Sequence, residues 1–466
     1  MKKPHVVCIP APAQGHINPV MQLAKLLYSR GFFITFVSTD FTHRCQGQES
    51  LGCLDGFRFE VIADGLPTVG EMMEDFEAFL KSVSVNCTAP FRDLMRKLHH
   101  PSDGHRVTCI ISDAFMTFSL KVAEEMGVPE KEIKRSLKNL LGLSPTTFFL
   151  DADESYIGSG YLDTTIYWIP GMRDMCLRDL GGFIRVTDPK DFTLNFVIDE
   201  VQNSLKASMI IFNTFEDLEH EVLHAIRSMF PPHIYTIGPL LLQCRLLPDD
   251  VLKSVKSSLW KEEVECLKWL DCHEAASVIY VNFGSRTVST PQQLIEFAWG
   301  IANSNHPFLW VIRPDLVMGG HTILPQDLMD EIEERGMLVS WCPQEDVLAH
   351  PSISLFLTRC GWNSTLESIS YGVPMLCWPF FADQQTNCRY ACYEWGVSMV
   401  IDNNVKRKEI GDLIREMMVG KKGKEVREKA LKWKESAEIA IKEGGSSHTT
   451  LELLIQELAQ LRDVSD

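Results

Sequence analysis

Short apolar runs recur along the chain, separated by stretches whose apolar residues fall at helical spacing. HVVCIP (5–10), FFITFVST (32–39), FRFEVIA (57–63) and VTCIISD (107–113) read as strands. After the first of them the spacing predicts a helix with Asn18 as N-cap, Pro19 in the first turn and Gly31 past the end. FSLKVAEEMG reads as another helix, following VTCIISD. A second series begins near Ser277 with SVIYVNFGS (277–285) and continues through FLWVIR (308–313), MLVSW (337–341), SISLFLT (352–358), PMLCWP (374–379) and VSMVI (397–401). Residues 422–462, rich in Lys, Glu, Ala and Leu, read as helices. One segment breaks the alternation: EKEIKRSLKNLLG, from Glu130, has helical rather than strand periodicity, so the first sheet is expected to lack a strand there.

Strands alternating with helices imply parallel sheets, and two such series imply an α/β protein of two facing doubly wound domains with an interdomain cleft. Residues 1–240 form the first domain, 241–275 (with LLPDDVLKS) a linker, and 276–440 the second. Length agrees: 466 residues correspond to two or three domains at roughly 150 residues each. A net charge of -17 argues against nucleic acid or an anionic membrane surface as partner, because phosphate binding needs a basic field. Fourteen cysteines at irregular spacing, without a CxxC pair, read as reduced thiols and point to the cytoplasm. MKKPHVVCIPAPAQ imitates a signal peptide, but Pro10 and Pro12 break its apolar stretch, and no run approaches the roughly 20 apolar residues of a membrane span.

In doubly wound folds ligands bind beyond the carboxyl ends of strands, and polar residues at those positions are the candidates. His16 follows the first strand, near the positive end of a helix, where a neutral imidazole is favoured and can act as a base. Asp113 ends a later strand and can orient such a ring; its plainer role is an N-cap. In SLFLTRCGWNS (354–364), Asn363 and Ser364 suit a helix N-cap, an end that favours anions, and Arg359 stands at its mouth. The wider block from Trp341 to Gln384 adds an aromatic ring, amides, Glu367 and an Asp383-Gln384 pair. Taken singly, Trp341 can close a core, Ser364 to Glu367 has capping-box spacing, and Asp383 can cap a helix starting at Gln384. Together they fit a nucleotide-sugar: a stacked base, a carboxylate on ribose, N–H groups on a diphosphate and polar groups on sugar hydroxyls. The cluster His99, His100, His105 lies in a polar loop, and no metal site is expected.

The 44-residue block Trp341–Gln384 resembles the signature of plant family 1 UDP-glycosyltransferases, and PAQGHINP (12–19) resembles their N-terminal histidine motif. VNFGS, FLWVIRPDL and ESYIGSGYLDTTIYWIPGM extend the resemblance over nearly the whole chain, toward the clade of broad small-aglycone and cyanohydrin glucosyltransferases. The resemblance implies a GT-B type fold, with residues 1–240 binding the acceptor, 276–440 the UDP-sugar, and 441–466 a helix packing back on the first domain. It implies that His16 deprotonates an acceptor hydroxyl, Asp113 supports it, and glucose is transferred from UDP-glucose with inversion. Trp341 would stack on uracil, with Cys342 offering backbone contacts, and Gln344 and Glu367 would hold ribose. Ser285, Asn363 and Ser364 would hold the diphosphate, with Arg359 and Gly361 in the same donor site, and Trp362, Asp383 and Gln384 would contact the sugar. The family needs no metal or cofactor besides this donor, and a cytoplasmic monomer is expected.

The chain departs from the family pattern at three places. Arg359 stands where the family has histidine, Ser354 and Leu355 replace a glycine pair, and 130–156 is shorter and charged at its start. Arg359 and segment 130–156 motivate a second reading, a weakened or inactive relative that binds nucleotide-sugar or small aglycone. A nicotinamide-dependent oxidoreductase, suggested by Asp40 after the second strand, lacks GxGxxG in its first loop.

Overall fold

The computed structural model describes residues 3–46, 54–66, 76–99, 106–134, 160–186, 188–230, 233–248, 252, 255–284, 290–312 and 326–461. Two compact units result, and the division falls between Leu259 and Trp260. The first comprises Met1–Leu177, Phe183–Leu259 and Ile439–Asp466; the second comprises Arg178–Gly182 and Trp260–Glu438.

In the first unit the strands are β1 (His5–Ile9), β2 (Phe33–Thr39), β3 (Phe57–Ile62), β4 (Val107–Asp113), β5 (Glu130–Lys134), a small antiparallel pair β6 (Thr165–Ile166) and β7 (Met175–Cys176), then β8 (Met209–Phe212) and β9 (His233–Thr236). Seven of them form one parallel sheet in the order β3-β2-β1-β4-β5-β8-β9. β1 and β4 are buried along nearly their whole length, as strands covered by helices on each side are. The order reverses direction between β1 and β4, which is the switch point where such sheets bind ligands.

The second unit repeats this plan with β10 (Val278–Asn282), β11 (Phe308–Val311), β12 (Gly336–Val339), β13 (Ile353–Thr358), β14 (Met375–Cys377) and β15 (Ser398–Val400). Their order, β12-β11-β10-β13-β14-β15, is that of a dinucleotide-binding fold, with its switch point between β10 and β13. Its core gathers Val281, Phe297, Trp310, Leu357, Trp378 and Ile414 under the helices Pro291–Ala302 and Arg407–Val419. These helices approach closely at Gly300, where an added Cβ would lie 2.6 Å from Ile410 Cβ and 3.0 Å from the Arg407 carbonyl. Alanine normally favours a helix interior by about 1 kcal/mol over glycine. Here overpacking outweighs it, so Gly300→Ala should destabilise by about 1–3 kcal/mol in a denaturant titration.

One expectation is corrected. Glu130–Lys134 is a strand, paired with β4 on one side and β8 on the other, so the sheet keeps its fifth position. The reason is the sheet itself: a gap would leave the β4 and β8 backbones without ladder partners, and that demand overrides local helical periodicity. The rest of the atypical segment, 135–156, lies outside the described residues. At the second departure, Ser354 is taken up in a register shift: Val278 pairs with Ile353 and Ile279 with Leu355. The bulge absorbs Ser354, whose Oγ accepts from Arg427 Nη2 at 2.7 Å, while Leu355 enters the core.

Candidate active site

The helix after β1 runs Gln14–Ser29, five residues longer at its start than the sequence suggests, and Gly31 follows it with φ 86°. Asn18 is therefore inside the helix and is not its cap. Its Oδ1 accepts from Gln14 Nε2 at 2.6 Å and from Ser257 Oγ at 2.9 Å, and Gln14 Oε1 accepts from the Leu259 N–H at 2.7 Å. These tertiary bonds fix the first turn and carry His16 within it.

His16 is 8% exposed, and its Nδ1 lies 2.8 and 2.9 Å from the two Asp113 carboxylate oxygens. An ionised carboxylate only accepts, so Nδ1 carries the hydrogen and Nε2 keeps a lone pair. Asp113 is 1% exposed and its Oδ1 also accepts from the Phe115 N–H at 2.9 Å, which locks the carboxylate. It does not cap the following helix, Phe118–Met126, whose N-cap position is Thr117. The Phe115 ring sits 5.1 Å from the His16 ring, further restricting it. A buried imidazole oriented through Nδ1 by a carboxylate is an arrangement that can serve as a general base.

In the second unit the residues picked from sequence converge at the switch point. Gln344 opens the helix Gln344–Ala349, and its side chain is saturated. Its Oε1 accepts from Tyr280 Oη at 3.0 Å and Asn282 Nδ2 at 2.8 Å; its Nε2 donates to Ser364 Oγ at 3.0 Å and Glu367 Oε2 at 2.6 Å. Gln344 thus orients Ser364 and Glu367. Trp341 is half-buried and packs 4.7 Å from Trp260, while Cys342 is buried with its Sγ 3.3 Å from Tyr280 Oη.

The turn after β13 leads into the helix Trp362–Tyr371, whose N-cap is Gly361, not Asn363 or Ser364, and has no side-chain cap. Asn363 and Ser364 stand instead in its first turn, half-buried, and Ser364 to Glu367 is not a capping box. The uncapped start follows from Cys360, held at φ 62° with its carbonyl accepting from Asn387 Nδ2 at 3.0 Å. A cap would close this end; left as it is, its N–H groups suit an anion. Trp362 is 1% exposed and packs toward Trp395, so only its backbone is available there. Asp383 occupies the N-cap position of the helix Gln384–Arg389 without capping it, and Gln384 Oε1 accepts from the Phe380 and Phe381 N–H groups at 2.8 and 3.2 Å. Ser285 lies outside the described residues, just beyond Gly284, whose N–H donates to Asn282 Oδ1 at 2.9 Å.

Arg359 does not stand at the mouth of the turn. It is 3% exposed, with its guanidinium 3.5 Å from the Trp378 ring centre and 5.3 Å from those of Phe283 and Phe380. Desolvation pushes its pKa down to about 9, so it keeps its charge at neutral pH. The cage residues, with Tyr280 and Asn282, are the functional candidates that sequence reading missed; each lies on or just after β10 or β14, where the strand-end rule would have found most of them.

Glu367 is 4% exposed. Burial, then repulsion from Glu345, pushes its pKa up to about 8 despite the Gln344 hydrogen bond. The folded protein then holds a proton that an unfolded chain releases near pH 4.5, so stability falls between those values as pH rises. Thermal melts of wild type should show this decline, and Glu367→Gln should flatten it.

Two doubly wound α/β units, one with a paired His16 and Asp113 and the other with an uncapped helix start beside the buried Glu367, fit a nucleotide-sugar-dependent transferase. The family model described as "UDP-glucoronosyl and UDP-glucosyl transferase" matches residues 55–429, and the chain belongs to that family. Its relatives include a 7-deoxyloganetin glucosyltransferase of Gardenia jasminoides, 49% identical with 98% of each chain covered. A (R)-mandelonitrile beta-glucosyltransferase of Prunus dulcis is also 49% identical, over 98% of this chain and 96% of its own. Among solved structures, Os79 from O. sativa in complex with UDP superposes with a TM-score of 0.81 at 27% identity, covering 97% of this chain and 100% of that one. The protein is a plant family 1 UDP-glycosyltransferase, related to small-aglycone glucosyltransferases.

Proposed function

We propose that this enzyme transfers glucose from UDP-glucose, with inversion, to a hydroxyl of a small plant secondary metabolite. The observation that carries the reading is the His16–Asp113 pair, with Nδ1 2.8 and 2.9 Å from the two carboxylate oxygens. His16 takes the acceptor's proton, and Asp113 stabilises the imidazolium so formed. The oxygen attacks the anomeric carbon from the face opposite UDP, breaking the bond to the diphosphate. Ser285, Asn363 and Ser364, with the first N–H groups of the helix Trp362–Tyr371, bind that diphosphate and stabilise the charge gathering on it. Arg359 adds its charge from within the aromatic cage, through a medium that screens little. Trp341 stacks on uracil, the Cys342 backbone contacts it, Glu367 accepts from ribose hydroxyls with Gln344 holding it in place, and Asp383 and Gln384 bind the sugar.

The acceptors are small hydroxylated molecules of the kind that give two relatives their names, 7-deoxyloganetin and (R)-mandelonitrile. Incubation with UDP-glucose and a panel of phenols, terpenols and cyanohydrins should yield β-glucosides. Failure with every member, with UDP-glucose binding intact, would remove the catalytic reading and leave a nucleotide-sugar binder. Free cysteines throughout the described residues support a reducing, cytoplasmic setting, and among those residues no helix is long and apolar enough to cross a membrane. A monomer is proposed, to be checked by light scattering.

A further inference from the structure

Cys360, Cys377 and Cys388 come from three separate elements: the turn after β13, the end of β14, and the helix Gln384–Arg389. Their Sγ atoms all lie within 4.8 Å of one another and all three residues are buried. The helix Gln384–Arg389 runs on into a π-helical turn, Tyr390–Glu394, which brings Cys392 beside the group with its Sγ 4.0 Å from that of Cys388. Cys392 is only half-buried and its Sγ is 3.1 Å from Ser398 Oγ, so it forms the accessible side of the cluster. Single-turn π-helices of this kind are frequent at functional sites.

Three buried thiols drawn from separate elements, with a fourth beside them, are the donor set that soft cations select. The distances fit as well. Ligands at about 2.3 Å on a tetrahedral centre stand roughly 3.8 Å apart, so the sulfurs of Cys360, Cys377 and Cys388 need to contract by about an ångström or less, and Cys392 Sγ stands 4.0 Å from Cys388 Sγ.

We propose that Cys360, Cys377, Cys388 and Cys392 form a binding site for a soft, thiophilic d10 cation beneath the donor-binding turn. Each ligating thiol releases its proton to solvent, each forms one metal–sulfur bond, and no electron moves. Cys392 is the point of entry. Because Cys360 sits between Arg359 and the Gly361 N-cap, and Cys388 four residues after Gln384, the cation would cross-link the diphosphate turn to the sugar-side helix.

The test uses the reduced full-length protein and Cd2+ as probe, because thiolate-to-cadmium charge transfer absorbs in the near ultraviolet and scales with the number of thiolates bound. One equivalent is expected to bind saturably, and Cys377→Ser should weaken it by roughly a hundredfold. Cys392→Ser, at a half-buried position, should lower the absorbance by one thiolate's share; it carries the test if Cys377→Ser does not fold. Two control variants should leave the band unchanged: Cys272→Ser at an exposed position, and Cys266→Ser, which disrupts the other hydrogen-bonded thiol pair, Cys266 with Cys342. Absence of a saturable band, or a band lost in the controls and kept in Cys377→Ser and Cys392→Ser, overturns the proposal.

Discussion

Replacing His16 with alanine should lower glucosyl transfer by about 10²- to 10⁴-fold while UDP-glucose binding, followed by calorimetry, stays at its wild-type value. The imidazole is joined to Asp113 at 2.8 Å within the first unit, and the donor residues belong to the second, so the loss falls on turnover. Asp113→Asn should act in the same direction. An amide can still accept from Nδ1, but it no longer offers a negative charge to the imidazolium formed during transfer, and it can present the ring with the wrong hydrogen-bonding partner. Its effect should appear in kcat and not in the donor KM. Turnover retained in His16→Ala would take the base role away from this residue.

Replacing Arg359 with methionine should weaken UDP-glucose binding by about 10- to 100-fold, the value of a lost interaction with a charged group. Fold stability, in contrast, should hold or rise. The guanidinium is 3% exposed and stays charged at neutral pH, so the protein carries the cost of desolvating it. The cation–π contacts with Trp378, Phe283 and Phe380 offset that cost by about 2 kcal/mol. Methionine relieves the first term, keeps much of the packing and removes the charge. The sign can be followed with pH. Folding depresses the Arg359 pKa from its ordinary value to about 9, so the penalty is complete below about 9 and fades as pH rises above it. The stability advantage of methionine should therefore shrink in alkaline melts. An unchanged donor affinity would mean that the caged charge does not reach the diphosphate, and Arg359→His, which restores the family's residue, would then be silent as well.

The strands were legible in sequence because most are buried on both faces and read as continuous apolar runs; VTCIISD matches β4 residue for residue. Helix starts were less legible. Asn18 and the Asn363-Ser364 pair are good N-caps by residue type, yet each stands inside its helix, because Gln14 and Asn18 are held by residues 257–259 and Gly361 takes the other start. Such tertiary bonds leave no local trace. Glu130–Lys134 failed for the same reason: strand formation there is set by β4 and β8, which lie far off in sequence. At the site, residue identities could be read, but what they do to each other could not. Gln344 and Glu367 were both assigned to ribose, and the structure shows the first saturated by four partners and positioning the second. Arg359 was visible as an anomaly; its cage, drawn from the ends of β10 and β14, required the fold.

The composition of the first unit has a consequence for biosynthesis. Ile439–Asp466 belongs to that unit, where Leu454 and Leu458 are fully buried, Ser447 Oγ donates to the Gly238 carbonyl at 2.5 Å, and Tyr235 Oη donates to the Glu457 carboxylate. During synthesis at about 5–20 residues per second, these residues emerge only after the whole of Trp260–Glu438 has been made. The second unit is contiguous enough to fold on the ribosome as it appears. The unit that carries His16 must wait, holding an unfinished apolar surface beside β9 until its last helix arrives, so the half with the His16–Asp113 pair is the later of the two to mature.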